Sequence, residues 1–203
     1  MKPLEKDFYL QDGLIVAKAL LGKRLIREVD GKAYAFKIVE TEAYRGPEDK
    51  GAHTYGGVPT PRTEPLFEPG GRTYIYLIYG MYNCLNIVAN REGIPHGVLI
   101  RAIEPIGEEA LSWARRNRPI KSKKEIDLTN GPGKLCKALL IDRELNRRPV
   151  TEKGEIWVAD APPIKDIVAD KRINIPYAEE YRDVEWRFYI KDNPYVSVLK
   201  KEE

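Results

Sequence analysis

The sequence predicts an α+β fold, a single domain over residues 1–203 built on a mixed or antiparallel sheet rather than a doubly wound parallel one. Strand-like segments come in runs, with helices between the runs but no regular strand–helix alternation. Pairs of those segments flank dipeptides suited to tight turns, Asp30-Gly31 and Gly80-Met81. A chain of 203 residues, 42% of them hydrophobic, with no internal repeat and no linker, has material for one full core.

In chain order, Leu10 to Leu21 reads as a buried helix stopped by Gly22, placed where a left-handed cap is wanted. Lys23 to Val29 and Ala33 to Glu42 read as a hairpin around Asp30-Gly31, which brings Glu42 near a strand end. Arg45 to Gly71, rich in Gly, Pro, Thr and charge and without a period, reads as a long loop of the kind that carries function. Thr73 to Tyr79, Tyr82 to Val88 and Gly97 to Pro105 are β-rich. Glu108 to Asn117 and Pro132 to Leu140 read as helices, the second with Pro in its first turn, where the missing N–H costs little. Glu155 to Ala159, Ile167 to Ile175 and Glu185 to Ile190 return to strand.

Composition excludes several classes. The longest apolar stretch, Leu14 to Leu21, is broken by Lys18 and is far shorter than the roughly 20 residues of a membrane span. No secretory signal is recognisable, so a cytosolic protein that meets no membrane is expected. Cys84 and Cys136, with two His residues in all, assemble neither a disulfide framework nor a zinc site. A formal charge of +3 is too weak to prove an anionic partner, but the positive charge is clustered. Six of the ten residues from Arg115 to Lys124 are Arg or Lys, and Arg143, Arg147 and Arg148 form a second group; both suit phosphate contacts or plain solvated surface.

The chemistry-bearing segment is Ile38-Val39-Glu40-Thr41-Glu42-Ala43-Tyr44-Arg45-Gly46-Pro47-Glu48-Asp49. Two carboxylates two residues apart share one face of a strand as it enters a loop, and a carboxylate there can activate water. Cleavage of an N-glycosidic bond builds oxocarbenium character on the sugar, which an anion beneath the ring both stabilises and serves as base. Glu40 and Glu42 are equivalent on this reading. Tyr74, Tyr76, Tyr79 and Tyr82 crowd one hairpin whose tip is Tyr79-Gly80-Met81. Aromatic groups at an exposed turn suit a base stack, while the same pattern inside a sheet is a core ladder.

Val39-Glu40-Thr41-Glu42-Ala43-Tyr44, Tyr76-Leu77-Ile78-Tyr79-Gly80-Met81-Tyr82, Val98-Leu99-Ile100-Arg101-Ala102-Ile103-Glu104-Pro105 and Gly131-Pro132-Gly133-Lys134-Leu135-Cys136, in that order, resemble the alkyladenine (3-methyladenine) DNA glycosylase family. The similarity runs from about Leu10 to Leu199. It implies one domain around a curved, mainly antiparallel sheet with a protruding β-hairpin. It also implies a monomer that repairs double-stranded DNA containing damaged purines and is nucleoid-associated through that DNA. The family works without cofactor or metal: it flips the purine out and hydrolyses its glycosidic bond. By the resemblance, Glu42 is the general base, and Arg101 and the carbonyl of Ile173 help hold the water. Tyr44 stacks on one face of the flipped base, and His53 and Tyr76 pack its other face. Asn86 discourages normal guanine, and Tyr79, with Met81 beside it, enters the duplex. Read singly, Arg101 pairs Glu104, His53 caps a loop and Asn86 satisfies a strand edge. Two departures from the family pattern stand out: Asn174, where Gly is expected, and Asn83, where relatives often carry an aromatic. The rival readings are a non-catalytic DNA-binding module and a metal-dependent hydrolase built on Glu40, Glu42, Asp49 and His53.

Overall fold

The computed structural model describes residues 1–199. Two helices open the chain, α1 (Lys6–Tyr9) and α2 (Gly13–Leu20). The helix predicted from Leu10 begins later because Asp12 caps it, its carboxylate accepting from the Leu14 N–H at 2.9 Å. Val16, Ala17 and Leu20 are buried, and the chain leaves through Gly22 at φ +81°.

Strands β1 (Arg24–Val29) and β2 (Lys32–Arg45) form the expected hairpin, with Asp30 and Gly31 both at positive φ. β2 runs three residues past Glu42 because its pairing with the neighbouring strand continues to Arg45↔His96. One edge meets β5 (His96–Pro105) along its length; the other meets β1 and then, at residues 40–42, β8 (Arg187–Ile190). β3 (Thr73–Ile78) and β4 (Tyr82–Ala89) make the aromatic hairpin. Helices α3 (Glu108–Asn117) and α4 (Pro132–Ala138) follow, then β6 (Ile156–Ala159) and β7 (Ile167–Asp170).

All the strand pairings are antiparallel, in the order β3-β4-β5-β2-β1-β6, with β8 on β2 and β7 on β8. The expected α+β class with a curled antiparallel sheet is the observed one. The central strand β5 is buried from His96 to Ile103 and then emerges at Glu104, and α2, α3 and α4 share the main core with β2, β4 and β5. No helix of the described residues is long and apolar enough to cross a membrane.

Three expectations need correction. The strand predicted over Ile167 to Ile175 ends at Asp170, since Arg172 turns inward to an ion pair with Asp49 and Asn174 takes φ +59°. The hairpin turns on Tyr79-Gly80, both at positive φ, rather than on Gly80-Met81. The long loop after Arg45 contains a 3-10 turn, Glu64–Phe67.

His96, at the start of β5, is buried against α2. Its Nδ1 accepts from the Gly13 N–H at 3.1 Å and lies 3.2 Å from the Asn90 side-chain nitrogen. Burial pushes its pKa below the usual 6.5, with Asp12 partly opposing. A neutral folded imidazole leaves stability whole above pH 6.5 and erodes it as pH falls toward the lower folded value, because only the unfolded chain then takes up the proton. The melting temperature is therefore expected to fall between pH 7 and 5, with a shallower slope in His96→Gln. An equal slope in both proteins contradicts this account.

Candidate active site

Strand β2 carries Glu40 and Glu42, both fully buried, on one face. Its register against β5 steps from Ile38↔Ile103 to Glu40↔Ala102 and then Thr41↔Ile100, so Val39 and Arg101 drop out of the pairing. A bulge re-aims a side chain. Arg101 lies between the two carboxylates, its Nε 3.4 Å from Glu40 and its Nη1 3.3 Å from Glu42. Burial alone would lower the Arg101 pKa; the Glu42 and Glu40 charges more than offset this, and the guanidinium stays charged. Glu104, its alternative partner, is occupied by Lys37 and Asn193.

The two glutamates, equivalent by spacing, differ in company. Glu40 accepts from Arg187 at 2.8 Å, from the Ser197 N–H at 2.7 Å and from the Ser197 hydroxyl at 3.0 Å, while Arg187 also pairs Asp170. That carboxylate belongs to a closed structural network. Glu42 accepts from the Tyr44 hydroxyl at 2.7 Å through Oε2 and from the Ile173 N–H at 2.7 Å through Oε1. Its partners Tyr44, Arg101 and Ile173 all line one large cleft. Ile173 thus meets Glu42 through its amide, a contact that the sequence does not announce. Burial, then the Glu42 charge, raises the Tyr44 pKa, so the phenol remains a donor.

Tyr44, His53, Tyr76 and Asn86 line a common cavity that opens beside the cleft. His53 meets Tyr76 edge-on, centroids 4.5 Å apart, and its Nδ1 is 3.0 Å from the Tyr74 hydroxyl. Desolvation, and then the Arg62 guanidinium, lowers the His53 pKa, which keeps the ring neutral. Asn86 donates to the Tyr74 carbonyl at 3.2 Å while facing the cavity. The four hairpin tyrosines divide. Tyr74 is core, packed with Leu66 and Val88; Tyr76 is cavity wall; Tyr79 and Tyr82 are exposed, as is Met81. Tyr79 is 77% exposed at φ +54°, a conformation a bulky residue adopts at a cost.

A family model for methylpurine-DNA glycosylase matches residues 7–194. The chain belongs to that family. Among its relatives, a candidate 3-methyladenine DNA glycosylase of Clostridium acetobutylicum is 52% identical, covering 98% of this chain and 99% of its own. Candidates of the same description from Clostridium botulinum and Natranaerobius thermophilus are 49% and 48% identical, each covering 96% of this chain and 98% of its own.

The two positions expected to be unusual, Asn174 and Asn83, find a physical place. Asn174 is in the left-handed region, which Asn tolerates better than other side chains, so the backbone a glycine would give is kept and Ile173 stays on Glu42. Asn83 sits opposite Leu77 on the hairpin, away from Glu42's partners. The basic clusters fare differently. Arg147 is engaged by Glu64 and Glu68, Arg148 by Glu155, and Arg115 by Glu125, so much of that charge is locally balanced. Besides Arg101, which sits on the two glutamates, the cations that line the cleft are Arg118, Lys134 and Lys137. Only Arg118 belongs to a cluster singled out by sequence.

Residues that sequence reasoning missed are Arg172, Tyr177 and Trp186. Arg172 makes a doubly bonded ion pair with Asp49 at 2.6 and 2.8 Å and lies over Tyr44 and Trp186. The Asp49 partner is 123 positions away, which no local pattern reveals. Of the three acids and one histidine in the metal-hydrolase rival, Asp49 is thus held by Arg172 and Glu40 by Arg187. No group of three His, Cys, Asp or Glu among the described residues is placed to hold a metal ion.

Proposed function

We propose that this chain, acting as one domain and as a monomer, is a monofunctional DNA-repair glycosylase. It extrudes alkylated or deaminated purines such as 3-methyladenine, 7-methylguanine, hypoxanthine or ethenoadenine from duplex DNA and hydrolyses the N-glycosidic bond. The observation that carries this reading is Glu42, a buried carboxylate whose three partners line a cleft beside an aromatic cavity, in a chain of the methylpurine-DNA glycosylase family. A carboxylate accepts about four hydrogen bonds. Oε1 takes the Ile173 N–H and Arg101, Oε2 takes Tyr44, and the remaining acceptor position on Oε2 suits a water. Glu42 then removes a proton from that water and faces the oxocarbenium charge as the bond to the base breaks.

Arg118, Lys134 and Lys137 fit phosphate contacts at the cleft, and Tyr79 with Met81 fits a wedge that fills the gap left by the flipped nucleotide. Tyr44 against one face of the base, His53 and Tyr76 against the other, would stack a cationic methylated purine favourably, because electron-rich rings attract cations. Asn86 on the cavity wall is positioned to select against the extra amino group of guanine.

The test is release of free base from a duplex with one hypoxanthine or ethenoadenine, and from methylated DNA, in the presence of a chelator. Release without strand cleavage, and without a borohydride-trapped adduct on Lys134 or Lys137, supports the reading. Binding of damaged duplex without release from any substrate favours the binding module, and loss of release to the chelator favours a metal hydrolase.

A further inference from the structure

Three separate stretches of chain bring groups to the site: β2 with Glu42 and Tyr44, the loop after it with His53, and the segment after β7 with Ile173. One buried side chain touches all three. The Arg172 guanidinium bonds both oxygens of Asp49, in the loop that carries His53. It donates to the Ala43 carbonyl at 3.1 Å, between Glu42 and Tyr44, and lies 4.6 Å from the Tyr44 ring centroid. Its own backbone leads directly into the Ile173 N–H on Glu42. Asp49 is fixed in turn by the Arg45 and Gly51 N–H groups at 3.0 and 2.8 Å. A Cβ at Gly51 would stand 2.9 Å from the Arg172 Nη2, so glycine there admits the guanidinium.

We infer that Arg172, clamped by Asp49, is a positioning residue that sets the Tyr44 hydroxyl and the Ile173 N–H on Glu42 at the same time. A buried bidentate pair is costly to desolvate and is a weak device for stability alone, whereas a planar fork with fixed donors suits the alignment of three backbones. Lysine keeps the charge but loses the fork and the flat face. The catalytic consequence rests on the glycosylase reading above; the geometric one does not.

The test uses Arg172→Lys, Asp49→Asn and the milder Gly51→Ala, which crowds Nη2 while leaving both partners in place. Arg27→Lys serves as a control, being a buried arginine bonded to the Leu139, Glu28 and Glu155 carbonyls, away from the cleft. Amide exchange at Ile173 is expected to quicken about tenfold or more in the three variants while core amides of β5 keep their protection. Single-turnover base release is expected to slow about 30-fold, since displacements near 1 Å cost on that order, with affinity for a duplex containing an abasic-site analogue nearly unchanged. Arg27→Lys leaves both unaltered. Wild-type protection of Ile173 in all three variants, or rate and affinity falling together, overturns the inference. Faster exchange at Ile173 with no base release by the wild type overturns the glycosylase reading and leaves the positioning role standing.

Discussion

Glu42→Gln is expected to slow single-turnover base release by about a thousandfold, the middle of the range for loss of a general base, with the fold and DNA affinity kept. Glutamine matches the shape of glutamate, and its amide oxygen still accepts from Tyr44 or Ile173, which bond different oxygens of the carboxylate in the native protein. Arg101 keeps Glu40 as a counter-charge. Glu40→Gln should behave in the opposite manner. It breaks a buried pair with Arg187 and the bonds from half-buried Ser197, and is expected to cost about 3 kcal/mol in unfolding free energy, the low end for a broken buried pair because Arg187 retains Asp170. Its folded fraction should still excise. Urea unfolding and single-turnover rates on both variants separate the two glutamates; a dead, stable Glu40→Gln beside an active Glu42→Gln would exchange their roles.

The second large effect lies at the hairpin tip, where function and stability are expected to move in opposite directions. Tyr79 is exposed at φ +54°, followed by Gly80 at φ +66°, the backbone pattern for which Asn-Gly is the preferred pair. Tyr79→Asn should therefore stabilise the protein by about 1 kcal/mol, through relief of the left-handed conformation. It should also slow excision from duplex DNA by about 30-fold, because the lost stacking on the gap is worth about 2 kcal/mol. A lesion in single-stranded DNA leaves no gap to fill, so the loss there should be slight. Equal losses on both substrates would assign Tyr79 to something other than a wedge.

The sequence showed those parts of the fold that are local. Asp30-Gly31 announces its hairpin by turn chemistry, and α3 is found at its predicted ends, Glu108 and Asn117. The sheet class follows from the run of strands. What stayed hidden depends on distant partners. The end of β7 at Asp170 is set by Arg172 seeking Asp49, and the different surroundings of Glu40 and Glu42 by Arg187 and Ser197 on the first and by Ile173 on the second. Spacing puts both carboxylates on one face and is silent on which is enclosed by Arg187. Likewise the tyrosine cluster is split among core, cavity wall and surface, a division made by the packing of Tyr74 with Leu66 rather than by the alternation itself.

The pairing of β8 with β2 at residues 40–42 has a bearing on synthesis. Domains fold from the amino end as the chain emerges from the ribosome. The framework strands β1 to β5, and with them Glu42, Tyr44 and Arg101, can assemble while the last strands are still being made. Ile173 and Arg172 arrive with the final hairpin, as does the Arg187 that occupies Glu40. Until that hairpin docks, the carboxylate lacks the Ile173 N–H, and the cleft lacks one wall. A nascent chain stalled before β7 is accordingly expected to be silent toward damaged DNA, and excision to begin only once the hairpin has emerged and docked.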